Sequence, residues 1–325
     1  MVSPDKRIFV AGASGMVGSA VVRSLMGLGF TNLKTPSSDE TDLTDQLDVR
    51  AFFAAEKPEI VIVAAAKVGG ILANNTYRAD FIYQNLMIEA NVINAAFESG
   101  VEKLLLLGSS CIYPKQAAQP MREEELLTGP LEFTNEPYAI AKIAGIKLCE
   151  SYFRQHGSNF FSLMPTNLYG PNDNFDLETS HVIPALMRKF HEAKDRGDEN
   201  VQIWGSGRPR REFMHVDDLA GAIAFAMNDI DASSIYECGI SHLNVGTGSD
   251  VTILEVATTI KEVVGFNGEI VLDDSKPDGT MQKLLDVTRM HNLGWRHRIE
   301  LRTGLEQVYE WYLQHLPATR ESVSV

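Results

Sequence analysis

The chain reads as an α/β protein built on a doubly wound parallel sheet, with a smaller mixed α/β unit beside it. Three observations predict this. Short, wholly apolar runs recur through the first half and alternate with amphipathic helical stretches, the pattern of parallel strands covered on both faces. A glycine-rich turn, Gly12-Ala-Ser-Gly15-Met-Val-Gly18, directly follows the first of those runs. At 325 residues, the chain is also too long for most single hydrophobic cores.

The elements come in order. A strand is expected over 7–11 and a helix over 16–28. A weaker strand falls near 33–35, then a helix over 46–56. The apolar run 60–64 gives a third strand, and a long helix over 81–99 comes next. A strand over 103–107, a helix over 137–156 and a strand over 160–164 complete the alternation. After Tyr169-Gly-Pro-Asn-Asp the pattern loosens. Helices near 181–193, 217–227, 253–264 and 301–313 are separated by polar, Gly/Pro-rich loops. The expected division is a first unit of residues 1–170 plus about 212–248, and a second of about 171–211 plus 249–325. Residues 317–325 have no apolar periodicity and read as a frayed tail.

Composition narrows the function. The chain is 44% hydrophobic and 22% charged, the balance of an ordinary globular protein. Its net charge of −14 argues against nucleic acid or an anionic membrane as partner, because such a surface repels phosphates. The N-terminal residues lack the long apolar stretch of a signal peptide, and no apolar run is long enough to span a bilayer. Three cysteines, Cys111, Cys149 and Cys238, fit a reducing cytoplasm better than a disulfide framework, and their spacing matches no zinc site. No metal is expected.

The turn from Gly12 to Gly18 sits between strand and helix, where glycines permit close backbone approach to a pyrophosphate. The helix start then faces the phosphates with free N–H groups and its positive dipole end. Gly12, Ala13, Ser14, Gly15, Met16, Val17 and Gly18 are therefore candidate dinucleotide contacts. After the second strand, the stretch Leu33-Lys-Thr-Pro-Ser-Ser38 has no acid until Asp39. A carboxylate there would repel a 2′-phosphate, so its absence favours NADP(H). Asp42 and Leu43 approach the adenine edge, or Asp42 serves a helix start.

Chemistry concentrates in Ser109-Ser110-Cys111 and in Tyr138-x-x-x-Lys142. Residues i and i+4 share a helix face. A lysine beside a phenol lowers the tyrosine pKa and makes it a usable general acid. Taken alone, each group also has a plainer reading. Cys111 suits a small buried apolar position, Ser109 and Ser110 suit a turn, and His181 suits a helix N-terminus capped by Ser180.

With these parts together the sequence resembles the extended short-chain dehydrogenase/reductase family of nucleotide-sugar enzymes. The resemblance is carried by the glycine turn, Ala64-Ala-Ala-Lys-Val-Gly-Gly-Ile71, Gly108-Ser-Ser-Cys-Ile-Tyr-Pro114, Asn135-Glu-Pro-Tyr-Ala-Ile-Ala-Lys142, Pro165-Thr-Asn-Leu-Tyr-Gly170, Ser180-His-Val-Ile-Pro184 and Trp204-Gly-Ser-Gly. It spans about residues 5–315. It implies a Rossmann fold and NADPH as hydride donor. The activity implied is conversion of GDP-4-keto-6-deoxy-D-mannose to GDP-L-fucose, by epimerisation at C3 and C5 and reduction at C4. Cys111 and His181 would exchange the C3 and C5 protons, Tyr138 would protonate the C4 oxyanion, Ser109 would hydrogen-bond it, and Lys142 would tune the tyrosine and bind the nicotinamide ribose. The resemblance adds Ser38, Leu107, Gly108, Pro165, Asn167, Leu168 and His181 to the cofactor contacts. It also assigns Asn167, Lys189, Trp204, Arg211, Asp278 and Lys283 to the GDP-sugar. Relatives pair as homodimers through two long helices, here 81–99 and 137–156.

The alternatives are a sister 4-epimerase, a 4,6-dehydratase, and a non-catalytic dinucleotide sensor. A dehydratase would want a carboxyl acid/base pair where this chain has Ser110-Cys111, and a sensor would not need Tyr138 and Lys142. Two departures bear on the cofactor. Some relatives carry arginines in the glycine turn and after strand 2, where this chain has Ser14 and Ser38. The expectation is a weaker preference for NADPH, or substitution by other groups such as Lys34. Arg208, Arg210 and Arg211 form a basic run with only Glu212 adjacent. The run suits a diphosphate, or a solvated loop.

Overall fold

A computed structural model of the protein describes residues 2–177, 179–275 and 278–316. The tail expected at 317–325 lies outside them. In the first half the order is β1 (Ile8–Ala11), α1 (Met16–Gly27), β2 (Leu33–Lys34), α2 (Gln46–Glu56), β3 (Ile60–Val63), α3 (Ile71–Thr76), α4 (Arg78–Glu98), β4 (Lys103–Leu107), α5 (Glu136–His156) and β5 (Phe160–Pro165). The second half adds β6 (Asn167–Tyr169), α6 (Val182–Arg196), β7 (Asn200–Trp204), β8 (Arg210–Arg211), β9 (Phe213–His215), α7 (Val216–Asp229), α8 (Ala232–Tyr236), β10 (Leu243–Val245), β11 (Val251–Thr252), α9 (Ile253–Val264), β12 (Glu269–Asp273), β13 (Gln282–Lys283), α10 (Thr288–Asn292) and α11 (Leu301–Gln314).

The central sheet is parallel throughout, in the order β10-β5-β4-β3-β1-β2. Its strands are apolar on both faces because both faces are covered. Along β1, Ile8 and Val10 join the core beneath α1 and α7, while Phe9 and Ala11 join the core beneath α2, α4 and α5. A third core gathers Tyr169, Phe213 and the apolar faces of α6, α9 and α11. Smaller pairings, β12 with β7, β6 with β9 and β11-β8-β13, carry the second half. The last strand of the main sheet, β10, has no counterpart among the strands expected from sequence. It is three residues long, too short to show a period.

The chain runs from β1 outward to β2 and then back to β3 on the other side. The carboxyl ends of β1 and β3 therefore flank a switch point, where ligands of open α/β sheets bind. Gly12 lies there with φ of +81°, and a Cβ on it would come 2.7 Å from the Ala65 Cα. A Cβ on Gly18 would overlap the Gly12 carbonyl, whereas one on Gly15 would meet nothing nearer than 3.5 Å. Two glycines are thus demanded by backbone packing, and the third leaves the entrance of α1 open. We expect Gly12→Ala to weaken NADPH binding at least about tenfold, checked by cofactor fluorescence titration, since the left-handed backbone alone costs ~1–2 kcal/mol.

Candidate active site

The site forms where β4 ends and α5 begins. β4 delivers Leu107 and Gly108, and a Cβ on Gly108 would overlap the Met164 side chain. Ser109 is extended, and Ser110–Ile112 make a short 3-10 turn. That turn aims Cys111 towards Ser109, whose side chain hydrogen-bonds the sulfur. α5 starts behind Asn135 with a proline in its first turn, where its missing N–H costs nothing. Its i, i+4 spacing puts the Lys142 ammonium 5.8 Å from the centre of the Tyr138 ring. Phe81 of α4 meets that ring edge-on at 6.4 Å.

The electrostatics differ from expectation. Burial pushes Tyr138 up to about 12, and the opposing pull of Lys142 is the smaller effect. Glu89 of α4, whose carboxylate lies 2.8 Å from the Lys142 ammonium, adds a smaller rise of its own. Burial pulls Lys142 down, but Glu89 and Tyr138 outweigh it and hold it above its ordinary value. Tyr138 is therefore a protonated donor at neutral pH rather than a near-neutral acid. Cys111 is likewise raised by burial, against the hydrogen bond from Ser109 and the charges of Lys283 and Lys142. Sequence reasoning missed Glu89. A signal existed, because Phe81, Asn85, Glu89 and Ile93 recur every fourth residue on one face of α4.

His181 arrives from another element. It is itself the N-cap residue of α6, with no side-chain cap bond, so Ser180 is not the cap. The Ser180 hydroxyl is buried with no hydrogen-bond partner among the described residues. Burial lowers the His181 pKa below the ordinary imidazole value, although part of the residue stays open to solvent. Its backbone is fixed against the Ala64–Ile71 motif. Gly70 N–H donates to Thr179 O at 3.0 Å, and a Cβ on Gly70 would crowd Ser180 O at 3.0 Å. Asn85 in turn grips Lys67, accepting from its N–H at 2.9 Å and donating to its carbonyl at 3.1 Å.

The cations behave differently from one another. Arg210 is committed to Asp250 at 2.7 Å, and Arg208 is exposed. Arg211, Lys189 and Lys283 form no ion pair among the described residues, and burial lowers all three. Lys283 stands beside Arg211 in the parallel pairing of β13 with β8, so two like charges are adjacent. Lys189 lies 5.4 Å over the Trp204 ring, and Trp204 is exposed. Asp278 accepts from Ser206 N–H at 2.9 Å and from its hydroxyl at 2.6 Å. Glu212, expected as a neighbour of the basic run, is fully buried and accepts backbone N–H bonds from Thr247, Gly248 and Leu285. Its carbonyl accepts from Asn167 Nδ2 at 2.8 Å, which orients that amide.

At the adenosine end, Ser14 and Ser38 are exposed. Lys34 is paired with Glu56 at 2.8 Å in a partly exposed contact. Asp42 accepts from Thr44 N–H and hydroxyl, and Asp45 caps α2. Leu43 packs on the core with its carbonyl bound by Asn91. Pro165 and Leu168 lie at the end of β5 and in β6. Among the described residues no cluster could hold a metal ion, and no helix is long and apolar enough to cross a membrane.

The model of the NAD dependent epimerase/dehydratase family matches residues 8–246. The chain belongs to this family. Within the family it is similar to the GDP-L-fucose synthase of Escherichia coli (strain K12), 58% identical over 95% of this chain and 97% of that one. GDP-L-fucose synthase 1 of Arabidopsis thaliana is also 58% identical, over 97% of this chain and 96% of that one. Among solved structures, a GDP-L-fucose synthetase from Naegleria fowleri bound to NADP has a TM-score of 0.86 at 28% identity, covering 97% of this chain and 96% of that one. An epimerase/dehydratase of this family uses a nicotinamide cofactor, and the open glycine entrance of α1 fits one.

Proposed function

We propose that the protein converts GDP-4-keto-6-deoxy-D-mannose to GDP-L-fucose, with NADPH as reductant. The observation that carries the reading is one cluster of groups. A thiol, a protonated phenol and a charged lysine lie together, and Lys283, paired with no acid among the described residues, acts on the thiol with Arg211 beside it. The C4 ketone acidifies the C3 and C5 protons of the sugar. Cys111 removes such a proton as thiolate, and His181 exchanges one on the other face. Burial raises the thiol and lowers the imidazole, so Cys111 acts through a minor thiolate form that Lys283, Lys142 and Ser109 favour, and His181 exchanges its proton from a mainly neutral ring. When bound, the reduced nicotinamide supplies hydride to C4. Tyr138 then gives its proton to the C4 oxygen, Ser109 donates a hydrogen bond to the same oxygen, and Lys142 holds the ribose.

Arg211, Lys283 and Lys189 receive the diphosphate, which relieves the repulsion between Arg211 and Lys283 and offsets the burial of all three. Trp204, beside Lys189, lends its exposed ring to the base, Asp278 shapes that loop, and Asn167 presents its amide oxygen. We expect Arg211→Ala to lower kcat/KM for the GDP-sugar by about tenfold to a hundredfold, read in steady-state kinetics, from loss of a charge-assisted bond. The test of the whole reading is incubation with GDP-4-keto-6-deoxymannose and NADPH in heavy water. GDP-fucose with deuterium at C3 and C5 and protium at C4 supports it; no NADPH consumption and no exchange sinks it.

The 2′-phosphate preference rests on the missing acid after β2, and a higher kcat/KM with NADH than with NADPH would reverse it. The free cysteines suit a reducing cytoplasm. The exposed Tyr83 of α4 and Ile140 of α5 suit a homodimer through these helices, which a monomer in solution scattering would exclude. Residues 1–170 with about 212–248 would bind the dinucleotide, and about 171–211 with 249–325 the sugar nucleotide. Hydrogen exchange with each ligand alone should then slow in different units, and identical maps would argue against the division.

A further inference from the structure

Glu89 belongs to none of the roles above, yet it is as closely bound to the site as any residue in it. Its carboxylate and the Lys142 ammonium are 2.8 Å apart, at 2% and 3% exposure. The chain makes room for it, since Gly145 of α5 has no side chain and a Cβ there would overlap the Glu89 carboxylate. Buried ion pairs seldom add stability over apolar packing, so this one needs another reason. An ammonium has three N–H groups. One donates to Leu107 O at 3.0 Å, the Glu89 carboxylate is held by charge at 2.8 Å with neither of its oxygens hydrogen-bonded among the described residues, and N–H capacity remains for the cleft.

We propose that Glu89 is a positioning residue for the reduction step: its carboxylate keeps the Lys142 ammonium charged and turned, so that the remaining N–H faces the cofactor ribose and Tyr138. The inference rests on the reductase reading given above. The titratable and charged groups facing the pair are Tyr138 and Cys111 on the cleft side, with Lys283 beyond the thiol, and Cys149 within the helix packing. Glu89 and Cys111 both help Tyr138 to keep its proton, and Glu89 helps Lys142 to keep its own.

Glu89→Gln preserves size and a hydrogen-bond acceptor but removes the charge. Lys142 and Tyr138 then both lose their protons at lower pH, and each loss stops reduction. NADPH oxidation with the keto-sugar is measured from pH 6 to 10.5 for wild type, E89Q and E89D. The rate of E89Q should begin to fall at least about one pH unit below the point at which wild type falls, the size of a lost neighbouring charge. E89D, with the charge drawn back by one methylene, should fall between them. Superimposable profiles for folded E89Q and wild type overturn the proposal, as do superimposable profiles for E89D and wild type if E89Q does not fold. Failure of both variants to fold would make the pair a determinant of folding and would overturn it as well. A wild-type protein that oxidises no NADPH indicts the reductase reading instead.

Discussion

Tyr138→Phe should lower the rate of NADPH oxidation by about a hundredfold to ten-thousandfold, the usual worth of a positioned general acid. Wash-out of the C3 and C5 protons into heavy water should survive. The two outcomes separate because the tyrosine hydroxyl serves only the C4 oxygen, whereas exchange uses Cys111 and His181. Phenylalanine retains the edge-on contact with Phe81, so the loss reads chemistry rather than packing. The high pKa of Tyr138, about 12, sets the pH dependence. The hydroxyl keeps its proton below that value, so wild-type reduction should show no tyrosine-dependent decline between about pH 7 and 9. Retained reduction in the variant would remove Tyr138 as the proton donor.

Cys111→Ala should have the complementary effect. Solvent deuterium should no longer enter C3 and C5, with a loss of about a hundredfold to ten-thousandfold in exchange rate by NMR. Burial raises the thiol, while Ser109, Lys283 and Lys142 oppose the rise. The thiolate is the base and forms only as the thiol loses its proton. Exchange by the wild type should therefore increase with pH through the neutral range. Exchange at the wild-type rate in the variant would return Cys111 to a packing role.

The sheet was legible because its strands are apolar on both faces. Neighbours such as Ile8 and Phe9, or Leu104 and Leu105, point to opposite sides and are buried together only where both sides are covered. The turn at Gly12 was legible for a related reason, since its backbone conformation and its closeness to Ala65 both exclude a side chain. The electrostatics were not legible. The burial that outweighs the pull of Lys142 on Tyr138 arises only in the folded chain, and Glu89, although its place on one face of α4 could be read, meets Lys142 only once α4 packs against α5. The contact of Lys34 with Glu56 was not legible for the same reason, since it is a tertiary fact. Charges near one another in sequence can be counted from the chain; which of them remain unpaired is decided by folding.

The sixth strand carries a consequence for how the protein can be made. β10 completes the main sheet against β5, but residues 166–242 intervene between them. A nascent chain that has emerged only as far as residue 170 has a finished row of five strands whose last member, β5, shows bare N–H and C=O groups along an apolar ribbon. Such an edge invites pairing with another chain. Closing it requires a contact of long sequence separation, which forms slowly. The first half is therefore not an independent module. Severed after residue 170, it should accumulate as aggregate, because only the later part of the chain covers the six-residue β5 and leaves the three-residue β10 at the edge instead.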